Sequence, residues 1–527
     1  MELETFLYRL HFDTDKIFPL DWQVDWEDAP LPYKLYHGLP KIHLTAEIPL
    51  TIKKREDDLN PRLEELGHFL WYIYGLNQYS QSTLIDGTKE KNVSYTQSLR
   101  RFVPSGGALY PNELYVYVKL DDVPNGIYHY DVAHHRLILL REGNYDFYLF
   151  RSIDNGLPIS DCFCTVFVST VFWKNFYKYN NFSYRLQGLD AGVLIGQSLE
   201  VANRMGFSTR VCYQFLDRSI NHLLGLSEQE ESVYAVIPLS MKPPMTRVDN
   251  VQKSGEAVSA SELCREVPEL NHVSCNYSKR VIDYPMLRKL NEASMFETSQ
   301  SFIKIKKKNC EKLLLEREMA FLPFTECLSY DLASVCRKRY SPDNDFMLGK
   351  VSQAQLSTLL KETFSFSYQN DLDDTQGQIE TRLSLYGSFY NVEGIPNGAY
   401  SYDNGTRALR RITKGDYREL LQSGLTMPNV NLYQVPLCMH VVGDRDHLKE
   451  IFGYRGYRIQ QMEAGILVQR LLLVSCALGM GGHPLLGFNA NQCDELYKIG
   501  SKGKTSLIQI PVGTYHPRAW LRGSLLS

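Results

Sequence analysis

The chain reads as an α+β protein in which one domain plan is used twice, and two observations predict this. The phrase NGIYHYD, Asn125 to Asp131, returns as NGAYSYD, Asn397 to Asp403. A longer set of matches keeps a constant spacing of 273 residues: Tyr184-Arg185 with Tyr457-Arg458, Asp190-Ala191-Gly192 with Glu463-Ala464-Gly465, Gly206 with Gly479, Phe215 with Phe488, Leu223 with Leu496, and Pro238 with Pro511. Chance does not hold register over such a length.

At 527 residues the chain exceeds what one hydrophobic core supports. The expected division is an N-terminal arm (1–48), a first domain (49–247), a linker region (248–330) and a second domain (331–527). The arm holds Trp22, Trp26, Pro30, Pro32 and Tyr33, which suggest an extended segment packed on the body. In each domain, apolar residues at helical spacing predict a buried helix of about four turns. They are Leu186, Leu189, Val193 and Leu194 in the first, and Ile459, Met462, Ile466 and Leu467 in the second. Each domain closes on a β-branched run, Val233 to Ile237 and Leu507 to Val512, expected as a sheet strand. Ahead of the first repeated phrase, PSGGALYPNE (Pro104 to Glu113) predicts a glycine-rich turn feeding a strand, where the second copy has only LSLYGSFYNV. The basic run Lys304 to Lys308 is expected to be a solvated face.

Composition narrows the class. With 44% hydrophobic and 22% charged residues the chain is an ordinary globular one, and a net charge of −3 gives no overall attraction to nucleic acid or an anionic membrane. Eleven scattered cysteines without a CxxC pair suit reduced thiols better than a disulfide framework, and no metal site is expected. The first residues lack a basic head followed by an apolar run, and Ile466 to Met480 is too short to cross a bilayer and is interrupted by Gln469 and Arg470. A cytoplasmic location is expected.

Taken in order, PSGGALYPNELYVYV, NGIYHYD and YKYNNFSYRLQGLDAG resemble the SagB-type FMN-dependent peptide dehydrogenases of the nitroreductase-like superfamily. The resemblance extends over both copies. It implies oxidation of thiazoline or oxazoline rings in a ribosomally made precursor peptide, reoxidation by dioxygen, and cyclodehydratase subunits of the same synthetase as partners. It also implies an FMN at the interface of two nitroreductase-like units. One unit supplies an Arg-x-Ser for the phosphate, a loop LGxxxxPxxGF whose backbone faces the flavin N5 edge, and a late basic residue; the other supplies the Pro-Ser turn. A tandem chain is then an intrachain pseudo-dimer, and a homodimer of the fused chain is also allowed.

The two copies divide these parts between them. The second keeps Arg339-Tyr340-Ser341, then Leu478-Gly479 and Pro484-Leu485-Leu486-Gly487-Phe488, with Arg518 and Arg522 near its end. The first has KKREDDLN in place of Arg-x-Ser, and Val211 and Gln214 where the loop's Pro and Gly stand. It keeps Pro104-Ser105-Gly106-Gly107, with Arg101 three residues ahead, and Lys178-Tyr179, which aligns with Ile451-Phe452. The resemblance therefore assigns Arg101, Pro104, Ser105, Gly106, Gly107, Arg339, Ser341, Leu486, Gly487, Arg518 and Arg522 to cofactor binding, and Lys178 and Tyr179 to proton handling. Related sequences often follow Lys-Tyr with Gly and a later Arg, where this chain has Asn180, Asn181 and Phe182.

These residue types suit the chemistry. Arg with a neighbouring hydroxyl is a strong ordinary way to hold a phosphate monoester. Glycines let backbone approach a flat ring closely. A lysine and tyrosine buried together and hydrogen-bonded to each other could carry a usable base. Each also has a plainer reading: Arg337 to Arg339 as a solvated basic stretch, PSGG as a simple turn into a strand, and Lys178 as a stem packed among Phe172, Trp173, Phe176 and Tyr177. Two other functions remain open at this point, an oxidoreductase of small molecules and a flavin-free scaffold subunit of a peptide-modifying synthetase.

Overall fold

The computed structural model describes all residues except 18, 20, 56–58, 86–92, 154–157, 243–256, 276, 306–318, 366, 374–381, 518–520 and 525–527, and of 82–97 and 521–524 it describes the backbone alone. Two sheets dominate it. In spatial order the first is Gln369–Asn370, Ser208–Val211, Glu231–Ser240, Cys164–Val171, Asn112–Val118, Gly126–Asp131, Arg136–Glu142 and Lys41–His43. The second is Gly481–Gly482, Lys504–Gly513, Leu437–Asp444, Ser384–Phe389, Gly398–Asp403, Ala408–Lys414 and Met319–Phe321. Apart from Gln369–Asn370, the two orders are the same, strand for strand, so the α+β plan is used twice as expected. All pairings are antiparallel except that of Gln369–Asn370 with Arg210–Val211.

The repeated phrase has a local physical cause. Tyr128 donates its hydroxyl to the Pro124 carbonyl (2.5 Å), and Tyr400 does the same to Pro396 (2.6 Å). Each phrase carries a bulge, between Ile127 and Tyr128 and between Ala399 and Tyr400, and its glycine lies against the next strand. A Cβ on Gly398 would stand 2.6 Å from the Thr413 carbonyl oxygen, and one on Gly126 would meet that of Arg141. In Asn112–Val118 the period of two sends Leu114, Val116 and Val118 to one core and Tyr115 and Tyr117 to another.

The predicted buried helices are longer than expected, Ser183–Met205 and Arg455–Ala477, and they pack side by side as the join between the halves. Tyr184 and Tyr457 stack across the join at 6.0 Å. The shared arginine of each helix reaches into the opposite half: Arg185 donates to the Leu507 carbonyl (2.6 Å), and Arg458 pairs with the fully buried Asp217 (3.0 Å), which also takes Arg455 (2.6 Å). The interface is thus isologous, as in a two-fold dimer.

The halves also exchange segments. Leu3–Phe12, expected as part of an extended arm, is a helix that buries Phe6, Leu7 and Leu10, and His11 hydrogen-bonds Thr505 of the second half (2.9 Å). Its apolar positions recur at helical spacing, a signal outweighed in the sequence by the tryptophans and prolines between Trp22 and Tyr33. Leu521–Ser524 at the C-terminus pairs with the first half's hairpin, Leu76–Ile85 and Val93–Arg101. Lys41–His43, ahead of the first domain, and Met319–Phe321, within the linker region, are edge strands of the two sheets. Of the basic run, residues 306–308 lie outside the described residues.

Candidate functional site

The PSGG turn is held by a carboxylate from the first long helix. Ser105 donates its hydroxyl to Asp190 (2.6 Å) and accepts from the Tyr110 amide (2.9 Å), while the Gly106 amide donates to both Asp190 oxygens (3.3 Å each). Gly107 adopts φ +65°, and a Cβ there would stand 2.6 Å from Tyr179 Oη and 2.9 Å from Lys178 Nζ. The left-handed backbone favours glycine at 107, and the absence of a Cβ lets both tips approach. Pro104 leads into the turn, whose Gly106 packs closely on the Leu186 side chain. The turn, Lys178 and Tyr179 therefore form one cluster.

Lys178 and Tyr179 sit on the short helix Trp173–Tyr179. They are not hydrogen-bonded to each other, contrary to the expected arrangement: the Lys178 ammonium lies over the Tyr179 ring (5.0 Å) and over Trp26 of the N-terminal arm (5.2 Å). Among the described residues neither polar tip has a hydrogen-bond partner. Burial lowers the Lys178 pKa, whereas burial, with Asp190 and Tyr177 adding to it, raises that of Tyr179. The segment Asn180 to Phe182 departs from the related pattern in sequence and keeps a glycine-like backbone. Asn180 has φ +47° and ψ −139°, close to Gly453 at the equivalent place in the second half (φ 55°, ψ −139°), and its side chain accepts from the Asn181 amide (2.7 Å). Asn is among the residues that tolerate positive φ.

Arg339 and Ser341 come from the second half and meet the first. Arg339 donates through Nε to the Phe102 carbonyl (2.9 Å), two residues before Pro104, and through Nη1 to Ser341 (3.3 Å). Burial lowers the Arg339 pKa, Tyr110 opposes that shift, and the nearby Arg100 adds to it. Arg100, over the Tyr340 ring at 5.1 Å, is a cation that the sequence motifs do not include. Arg101 is buried, donates to the Pro32 carbonyl (2.5 Å), lies over the Tyr74 ring (3.8 Å), and among the described residues leaves Nε and Nη1 without a hydrogen-bond partner. Arg339 and Arg100, so gathered, favour an anion, whereas Arg101, the next residue along the strand, is buried in the first half beside Tyr74 and Glu113.

Leu486 and Gly487 lie on the second half's loop, where the Gly487 carbonyl accepts from the Thr426 amide (3.0 Å). Among the described residues the amides of Leu486 and Gly487 have no hydrogen-bond partner. The equivalent amides in the first half, those of Tyr213 and Gln214, are both taken by Asp371 (2.9 and 2.7 Å). There the Gln214 side chain bonds Ile303 and the Asp371 carbonyl, and Gln369–Asn370 pairs alongside. The second half's own segment thus fills the pseudo-equivalent place, and one loop of the two keeps free amides. The loop lies across the first long helix from the turn: Arg185 is over Phe488 (5.8 Å), and Leu186 packs at Gly106. No direct contact joins Gly487 to Ser105 or Lys178 among the described residues. Arg518 lies outside the described residues; Arg522 is on the strand paired with Ser80, where only its backbone is described.

A crystal structure of a candidate nitroreductase from Anabaena variabilis matches 98% of this chain and 99% of its own, with a TM-score of 0.74 at 20% identity. The chain has a nitroreductase-like fold in two tandem copies. At the level of sequence, it is 26% identical to a candidate nitroreductase of Methanocaldococcus jannaschii over 132 residues, which are 25% of this chain and 64% of that one. It is 29% identical to the trifolitoxin-processing protein TfxB of Rhizobium leguminosarum bv. trifolii over 142 residues, 26% of this chain and 38% of that one. The chain thus spans less than two thirds of either relative. No family model matches it. No helix among the described residues is long and apolar enough to cross a membrane.

Proposed function

We infer that the chain is an FMN-dependent dehydrogenase that oxidises thiazoline or oxazoline rings to thiazole or oxazole in a ribosomally made peptide, beside cyclodehydratase subunits. The observation that carries this reading is the convergence of Lys178 Nζ and Tyr179 Oη, both without other partners among the described residues, on the backbone of Gly107. Simple reduction of a nitro group or quinone needs no such pair. The likeness to a trifolitoxin-processing protein points the same way.

The chain offers groups that fit FMN. Arg339 and Ser341, with Arg100 close to Arg339, suit the phosphate. The free amides of Leu486 and Gly487 suit the acceptor edge of a flavin. When bound, FMN supplies the two-electron acceptor for a hydride.

The protein's part is position and proton transfer. Oxidation of an azoline removes one ring hydrogen as a proton and one as a hydride, so a base must face the ring carbon opposite the acceptor. Burial moves Lys178 toward the neutral form that takes a proton, whereas Tyr179, pushed the other way, keeps its hydroxyl proton and orients the ring heteroatom by donating to it. Trp26, 61% exposed beside Lys178, walls the approach.

Mass spectrometry of an azoline-bearing peptide incubated with the FMN-loaded chain tests this. Loss of two hydrogens per ring is expected. A yellow protein that leaves the peptide mass unchanged while reducing small nitroaromatics or quinones would favour the small-molecule alternative.

A further inference from the structure

Asp190 is a buried carboxylate, 6% exposed, and among the described residues no lysine, arginine or histidine pairs with it. Its counterpart in the second half, Glu463, is paired with Arg382. A buried carboxylate without a cation is costly and is retained where something else needs it. Among the described residues its hydrogen bonds run to the Ser105 hydroxyl and the Gly106 amide. The next residue, Gly107, is the one that Lys178 and Tyr179 close upon. The titratable groups facing Asp190 are Tyr179 on the Trp173–Tyr179 helix and Tyr74 on the helix Leu63–Tyr74.

We propose that Asp190 is a positioning residue: it clamps the Ser105–Gly106 turn from the long helix, and so holds Gly107 against Lys178 and Tyr179. The proposal rests on the reading of those two residues given above. Asp190 touches neither the reacting ring nor its proton and acts through the turn. With Asp190 gone, Ser105 and Gly106 lose their only shared anchor, Gly107 moves off Lys178, and the geometry of proton removal loosens. Burial pushes the Asp190 carboxyl up to about 7, so the clamp changes charge state near neutrality.

Two variants and two readouts test this in the full chain loaded with FMN. Asp190→Ala removes the clamp; Asp190→Asn keeps an acceptor oxygen for Ser105 and the side chain's shape but cannot ionise. Azoline turnover per bound flavin is expected to fall about 100-fold in Asp190→Ala. In Asp190→Asn it is expected to fall about tenfold, with the limb of the pH–rate profile around neutrality gone. The second readout needs no turnover: acylation of Lys178 by an amine-reactive ester, followed by mass spectrometry, is expected to be about tenfold faster in Asp190→Ala than in the parent. Unchanged labelling of Lys178 overturns the proposal whether or not the chain oxidises azolines. So does Asp190→Asn with the parent's rate and pH profile. Faster labelling in a chain that never oxidises an azoline leaves the clamp standing and removes the dehydrogenase reading alone.

Discussion

Gly465 of the second long helix lies directly on Gly192 of the first: a Cβ on Gly465 would stand 2.7 Å from the Gly192 Cα, and one on Gly192 would stand 2.6 Å from the Met462 Cα. The two glycines are the same position of the repeated plan, so the join passes through them. Contact at backbone distance is what two glycines permit and two alanines do not. Gly192→Ala and Gly465→Ala are each expected to push the helices apart at a cost of about 3 kcal/mol. Urea unfolding checks this, and parent-like stability in either variant would falsify the account of the join.

Lys178 and Arg339 are expected to separate chemistry from cofactor retention. Lys178→Ala should lower azoline turnover about 1,000-fold with the flavin still bound. Arg339→Ala should weaken FMN binding about tenfold or more, read by equilibrium dialysis. Flavin loss in the first variant and not in the second reverses the assignment.

Burial lowers the Lys178 pKa. Since the neutral amine is the base, turnover should rise with pH and level off below the ordinary lysine range. Lys178→Arg, always charged, should show neither the rise nor the rate. Stopped-flow assays across pH check this, and a flat profile in the parent argues against Lys178 as the base.

Asp371 takes the two amides that correspond to Leu486 and Gly487. Asp371→Ala leaves them buried without partners, which should cost about 2 kcal/mol. Flavin content should stay close to one per chain, because Gln214 and its bonds to Ile303 still fill the place. Absorbance of the denatured cofactor against protein concentration measures the ratio; two flavins per chain in the parent would mean the second place is open after all.

Asp190 also has a consequence for stability. Its carboxyl is raised from 3.8 to about 7 in the folded chain, so the native state holds the proton more tightly than the unfolded one. The contribution is therefore fully present below about pH 4 and is lost as pH rises through about 7. Relative to Asp190→Asn, the parent should lose stability between these limits by up to about 4 kcal/mol. Thermal unfolding of the pair from pH 5 to 8 checks the sign, and a difference independent of pH contradicts it.

Much of the plan was legible in the sequence because its causes are local. Tyr128 and Tyr400 bond carbonyls four residues away, Gly126 and Gly398 sit at bulges, and the period of the long helices is written in Leu186 to Leu194 and Ile459 to Leu467. PSGG, Lys178-Tyr179 and Arg339-x-Ser341 stood out as short runs present in one copy and absent from the other. Less accessible were the helix Leu3–Phe12, obscured by the tryptophans and prolines of the arm, and Arg100, a plain charge in a strand until Arg339 arrives beside it.

By itself the sequence determined that one α+β plan recurs, because periodicity and turn chemistry act over a few residues. Only the tertiary structure decided that the copies meet through Gly192 and Gly465, that Asp371 takes the amides of Tyr213 and Gln214, and that Asp190 is buried against the turn. Close backbone contact, amide capping and desolvation depend on groups from 85 to 273 residues apart, brought together only when the helices pack.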